Sequence, residues 1–151
     1  MLMLPSSVLA MLLLAQTPPA NPACSILTAA ESASLIGAGG KTISVTNAAT
    51  GASCMVQNGD KVITILTTTL ATPDAASGLW AAKERIVNGE DLAGWPAKAY
   101  TGALKDTPAV GLAKGKTFLE VRVTDPTPTG KGGDLASRLQ TVMKAVAARL
   151  P

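Results

Sequence analysis

The chain has 151 residues, a net charge of +3 at pH 7, 47% hydrophobic but only 3% aromatic residues, two cysteines and no histidine. Without imidazole, Ser-His-Asp and Cys-His catalysis and the commonest metal ligand are excluded. The lysines and arginines are interleaved with acids and form no stripe for a phosphate backbone, so no nucleic-acid partner is expected.

Residues 1–23 read as a signal peptide and short linker, and residues 24–151 as a single domain. Met1 to Ala23 carries no charged side chain, and the apolar run Val8 to Ala15 is too short to span a bilayer, which takes about 20 residues. Small residues follow the run, with Ala15 the preferred cleavage point, and Pro5, Pro18, Pro19 and Pro22 prevent one continuous helix. Export implies an oxidising compartment, so Cys24 and Cys54 are expected to form a disulfide. A lipid anchor on Cys24 is the alternative. It would need a small apolar consensus immediately before the cysteine, and in Asn21-Pro22-Ala23 only Ala23 fits.

In chain order, Thr28 and Glu31 form a capping box that starts a short helix ending at Leu35, Ile36 and Gly37. Alternation over Thr42 to Val45 predicts a strand. Asn58-Gly59 between Ser53 to Gln57 and Lys61 to Leu66 predicts a tight hairpin with Cys54 on its first strand. A Cys24–Cys54 bridge would then pin the first helix to the sheet. Thr72-Pro73-Asp74 begins a second helix, with Ala76, Leu79, Trp80, Ala82, Ile86 and Val87 as its apolar face. After a loose segment from Glu90 to Pro96, strands are predicted over Ala97 to Ala103, Ala109 to Ala113 and Thr117 to Thr124. In the last of these, Leu119, Val121 and Val123 oppose Glu120 and Arg122, the pattern of a sheet with one wet face. Asp125 to Gly133 reads as an irregular linker and Asp134 as the cap of a final helix. Leu135, Leu139, Val142, Met143, Val146 and Leu150 recur along that helix as a core stripe. The fold class is α+β: an antiparallel sheet packed by helices in the order α-β-β-β-α-β-β-β-α.

Those elements, together with Cys24-Ser25-Ile26-Leu27-Thr28, Glu31, Gly37, Ser53-Cys54, Gly94, Ala99-Tyr100 and Lys114-Gly115 before the Phe118 to Val123 strand, are similar to a known group. The chain resembles small secreted proteins and lipoproteins of unknown function, found mainly in actinobacteria, with a Mog1/PsbP-like α/β sandwich. The resemblance implies that fold and an exported location. Two features depart from it: the lipobox before Cys24 is missing, and Gly94-Trp95-Pro96-Ala97-Lys98 stands where a glycine-and-acid turn is usual.

Few residues offer chemistry. Gly37-Ala38-Gly39-Gly40-Lys41-Thr42 has half of a phosphate-loop pattern but follows a helix instead of a strand, and Glu90-Asp91 are adjacent acids on a Gly-flanked segment. No catalytic residue, metal site or cofactor is expected. The expected function is an exported, non-catalytic binding or interaction module whose candidate binding residues are Trp95 and Tyr100, because two of the four aromatic rings fall in one irregular stretch. A core role for both rings stands beside that reading. The alternative function is a carrier of a small apolar ligand, for which an aromatic-poor, alanine-rich interior leaves room; an enzyme of unrecognised type is the third reading. The partner is accordingly an unknown protein or a small apolar ligand, with no membrane-spanning segment.

Overall fold

Residues 21–126 and 132–151 are described by a computed structural model. The leader before residue 21, and the centre of the expected 125–133 linker, lie outside them. The first helix, α1 (Ala29–Ile36), begins as its capping box requires. The Glu31 backbone N–H donates to Thr28 Oγ1 at 3.1 Å, and the Thr28 N–H donates to the Glu31 carboxylate at 2.8 Å. Gly37 ends the helix at φ 87°, a conformation open to glycine.

Three strands follow: β1 (Lys41–Asn47), β2 (Gly51–Asn58) and β3 (Lys61–Thr69). The β2–β3 hairpin has the expected position with a shifted turn. Asn58 pairs with Lys61, so the two-residue loop is Gly59-Asp60, with Gly59 at φ 64°. Asn58 instead serves the neighbouring helix, because its side-chain amide donates to the Ile36 and Ala38 carbonyls at 2.9 and 3.0 Å and so satisfies the end of α1. Helix α2 (Pro73–Ile86) starts with the Ala75 N–H donating to Thr72 Oγ1 at 3.2 Å. Of its predicted apolar face, Ala76, Trp80 and the flanking Val87 are buried, whereas Ala82 is exposed and Ile86 is 55% exposed. The loose segment contains an unpredicted two-residue strand, β4 (Glu90–Asp91), before β5 (Lys98–Leu104), β6 (Thr107–Lys114) and β7 (Thr117–Thr124). The last helix, α3 (Gly132–Arg149), starts earlier than predicted, so Asp134 lies in its first turn and is not its cap.

The protein is α+β, with seven antiparallel strands in the order β1-β2-β3-β7-β6-β5-β4 and three helices among the described residues. Strand alternation sends Ile63, Ile65, Val110, Leu112, Leu119, Val121 and Val123 to one face, where they form the main core with Leu35 of α1 and Leu139, Met143 and Val146 of α3. The expectation that the opposite face is wet is overturned. Phe118, Ala109, Ala113 and Tyr100 on that face make a second core with Trp80 of α2 and Val87 just after it, and Glu120 is fully buried beside them. Helix α2 packs on β5, β6 and β7. Alternating polarity marked the two faces of β7 correctly but could not show that a helix covers the polar one.

Cys24 and Cys54 form a disulfide across 30 residues of sequence, with their Cα atoms 5.2 Å apart. It joins the turn before α1 to the centre of β2, where Cys54 pairs with Ile65. The two edges of the sheet differ: β4 is short and acidic, whereas β1 is exposed at all seven residues and carries a bulge between Thr42 and Ser44. Short edges, charge and bulges are ordinary defences against edge-to-edge pairing.

Candidate functional site

The segment between β4 and β5 folds into one wall of a surface cleft. Asp91 and Leu92 continue the ladder beside β5, with the Leu92 N–H donating to the Ala99 carbonyl at 2.9 Å. The chain then turns through Gly94 at φ 76° and returns along Trp95, Pro96 and Ala97 to Lys98. Leu92, Trp95 and Ala97 are partly buried and pack against the main core. That anchoring leaves one side of the segment on a cleft of about 440 Å³, open to solvent, with Trp80 of α2 also in its lining. Binding pockets for small molecules fall in this volume range.

Two polar atoms of the cleft stand out. The Lys98 ammonium lies 4.7 Å from the centroid of the Trp80 ring, a cation–π contact. No ion pair of Lys98 occurs among the described residues. Trp80 itself is only 6% exposed, and its indole Nε1 is buried without an acceptor among the described residues. A buried N–H in that state is unusual, since most are paired. The Asp91 carboxylate belongs to the same lining, across the strand pair from Tyr100.

The structure separates the two predicted binding residues. Trp95 lines the cleft half-buried. Tyr100 is fully buried, with its ring 5.7 Å from that of Trp80, so it supports the cleft wall from within. Its hydroxyl donates to the Glu120 carboxylate, which also accepts from Arg122 Nε at 2.7 Å. Burial and the adjacent Glu120 push the Tyr100 phenol well above its usual range, so it stays a donor. Trp80 and Lys98 are the cleft residues that sequence reasoning missed. The residues meet only because α2 lies across β5; the parity that sets Lys98 and Tyr100 on one face of a strand was the sole local signal.

The remaining candidates are not assembled into sites. Glu90 and Asp91 occupy successive positions of β4, opposite Thr101 and Tyr100, so alternation directs them to opposite faces. The Gly37 to Thr42 segment runs from a helix into a strand, the reverse of a phosphate loop. Among the described residues no group of three His, Cys, Asp or Glu side chains is placed to hold a metal ion, and no helix is long and apolar enough to cross a membrane. No protein-family model matches the chain, and comparison with curated proteins finds no similar sequence.

Proposed function

We propose that this protein is an exported binding module that recognises its partner through the cleft beside Trp95. The observation that carries the reading is the composition of that cleft: one half-buried indole, a second indole in the wall, and a lysine with no ion-pair partner among the described residues around about 440 Å³ of open space. Rigid aromatic surfaces beside a few polar groups are the usual make-up of recognition sites. Export is supported by the apolar run Val8 to Ala15 with small residues after it and by the disulfide, which is compatible with an oxidising compartment. The α+β order also suits membership of the small secreted Mog1/PsbP-like proteins, which remains part of this proposal. Non-catalytic binding is the simpler reading because the cleft gathers indoles, one amine and one carboxylate without a nucleophile paired to a base.

The carrier reading has less support. Its ligand would need enclosed apolar space, whereas this cleft is open and the core beneath α3 is occupied by Leu139, Met143 and Val146. The test is a fluorescence screen of peptide and small-molecule libraries against the wild type and Trp95→Ala. Ligands that change tryptophan emission in the wild type should lose about tenfold or more in affinity in the variant, as a hot-spot truncation does. Because Trp95 is only half-buried, Trp95→Ala should cost less than the 3–5 kcal/mol typical of a fully buried aromatic. A loss in that range, or unchanged binding, would remove Trp95 from the site.

A further inference from the structure

Resting on the reading of the cleft as a binding site, we propose that its ligand carries a carboxylate next to an apolar body, the carboxylate seated between Lys98 and Trp80 and the apolar part against Leu92, Trp95 and Pro96. Two independent features of the cleft lack the same thing, an acceptor. The Lys98 ammonium is held by the face of Trp80 and by no carboxylate among the described residues. The Trp80 Nε1–H, in a side chain 6% exposed, is buried without an acceptor among the described residues. Lys98 is itself exposed, and an aromatic face holds an ammonium more weakly than a charge-assisted hydrogen bond does. An incoming carboxylate therefore draws the ammonium off the ring face toward itself and offers its other oxygen to the indole N–H.

The remaining lining determines the rest of the ligand. Leu92, Trp95 and Pro96 offer an apolar surface with no charge of their own. Asp91 of β4, opposite Tyr100, shares with Lys98 the face of the sheet that carries Tyr100, and it repels a second anion while accepting from a ligand donor. The ligand thus bears a single carboxylate, held nearer Lys98 than Asp91, and no second anion. This chemistry is shared by a free small organic acid and by the carboxyl end of a peptide with an apolar last residue.

The experiment compares 3-phenylpropionate with 3-phenylpropionamide, and a tripeptide ending in leucine with its carboxamide, on the whole protein. Binding is followed by tryptophan fluorescence and by the indole N–H resonance of Trp80 in NMR. The free acids should bind at least about tenfold more tightly than the amides, and less tightly as salt rises. The Trp80 indole proton should move downfield as it gains an acceptor. Lys98→Gln should erase the preference for acid over amide at an unchanged melting temperature, and Lys98→Arg should keep it. Preference for phenylpropionate identifies a small organic acid; preference for the free tripeptide identifies a chain end. Acids and amides that bind alike, or an acid preference that survives Lys98→Gln, overturn the proposal. Amides whose binding depends on Trp95 would leave the cleft as a binding site while refuting its carboxylate selectivity. Failure of all four probes at millimolar concentration overturns the selectivity as well, and the library screen against Trp95→Ala then judges the cleft separately.

Discussion

Gly111 is the point at which one absent side chain allows the second core to form. A Cβ there would stand 2.1 Å from Tyr100 Cζ, so the tyrosine ring lies flat across β6 only because the glycine leaves its face bare. From that position the Tyr100 hydroxyl reaches Glu120, and the Glu120–Arg122 pair gives the buried carboxylate its counter-charge at 2.6 Å. Gly111→Ala should destabilise the protein by about 3 kcal/mol, the upper end for overpacking, measured by urea unfolding. In a Tyr100→Ala background the same change should cost much less, because the atom it strikes has gone. Additive penalties would show that Gly111 is required for backbone reasons alone. The sequence leaves Tyr100 between a recognition surface and the core and reads Glu120 as a wet-face group, and alternation places Glu120 correctly opposite Leu119 and Val121. It has no means of distinguishing water from a buried hydroxyl as the partner of that carboxylate. The distinction depends on α2, which arrives from a different part of the chain.

Helix α1 is eight residues long, too short to persist alone, and besides the core packing of Leu35 and Ile36 several polar and covalent contacts hold it. Its capping box is local; Asn58 closes its carboxyl end; the disulfide fixes the turn before it; and Arg149 of α3 donates to both oxygens of Glu31 at 2.6 Å and to the Ile26 carbonyl. Removing the disulfide by reduction, or by the Cys24→Ala and Cys54→Ala pair, should cost about 3–4 kcal/mol on the chain-entropy estimate for a loop of 30 residues, measured by urea unfolding. The Arg149 hydrogen bonds hold the Glu31 carboxyl below its usual range despite partial burial, which acts in the opposite direction. The pair's stabilisation is therefore complete above the unfolded Glu value of about 4.3 and is lost as pH falls through the depressed folded value. The pair is partly exposed, so its contribution should stay below about 1 kcal/mol. Urea midpoints from pH ~5.5 down to ~3 should fall less steeply in Arg149→Ala than in the wild type; equal slopes would remove Glu31 from the acid response. The local elements were the legible ones: the capping box, the Thr72-Pro73 start, and β7 to the residue. The two-residue β4 was not, because nothing in Glu90-Asp91 favours a strand until β5 lies beside it. Asn58 reads in the sequence as a turn residue, whereas in the fold its amide closes α1 at Ile36, a partner 22 residues away that no local pattern reveals.

At the scale of the whole molecule the sheet is a partition between two cores, and its amino end is sewn into the larger one. Ala23 is fully buried there, and the Asn21 side chain bridges both neighbours: its amide donates to the Thr46 carbonyl at 2.9 Å and the Ser53 carbonyl at 3.3 Å, and its oxygen accepts from the Ala23 N–H at 2.8 Å. The sequence offered a leader and linker to residue 23 and two fates for Cys24, and the composition of Asn21-Pro22-Ala23, where only Ala23 fits a lipobox, favoured the disulfide over the anchor. Its packing bears on the choice. A lipid anchor requires cleavage between Ala23 and Cys24, which would strip Asn21 and Ala23 from β1, β2 and the core and would use the sulfur that bonds Cys54. Cleavage at Ala15 or Ala20 keeps every one of those contacts. A chain beginning at Cys24 should therefore melt several degrees lower than one beginning at Asn21, consistent with losing on the order of 1–2 kcal/mol of hydrogen bonding and burial. Calorimetry on the two chains, with the disulfide intact in each, reads the difference directly. Mass spectrometry of the protein expressed with its leader in a bacterium supplies the second half of the test, an unmodified chain that retains Asn21. Equal melting temperatures would leave the Asn21 bridge without weight in stability, and a diacylglycerol found on Cys24 would show that the cysteine is an anchor and not a disulfide partner.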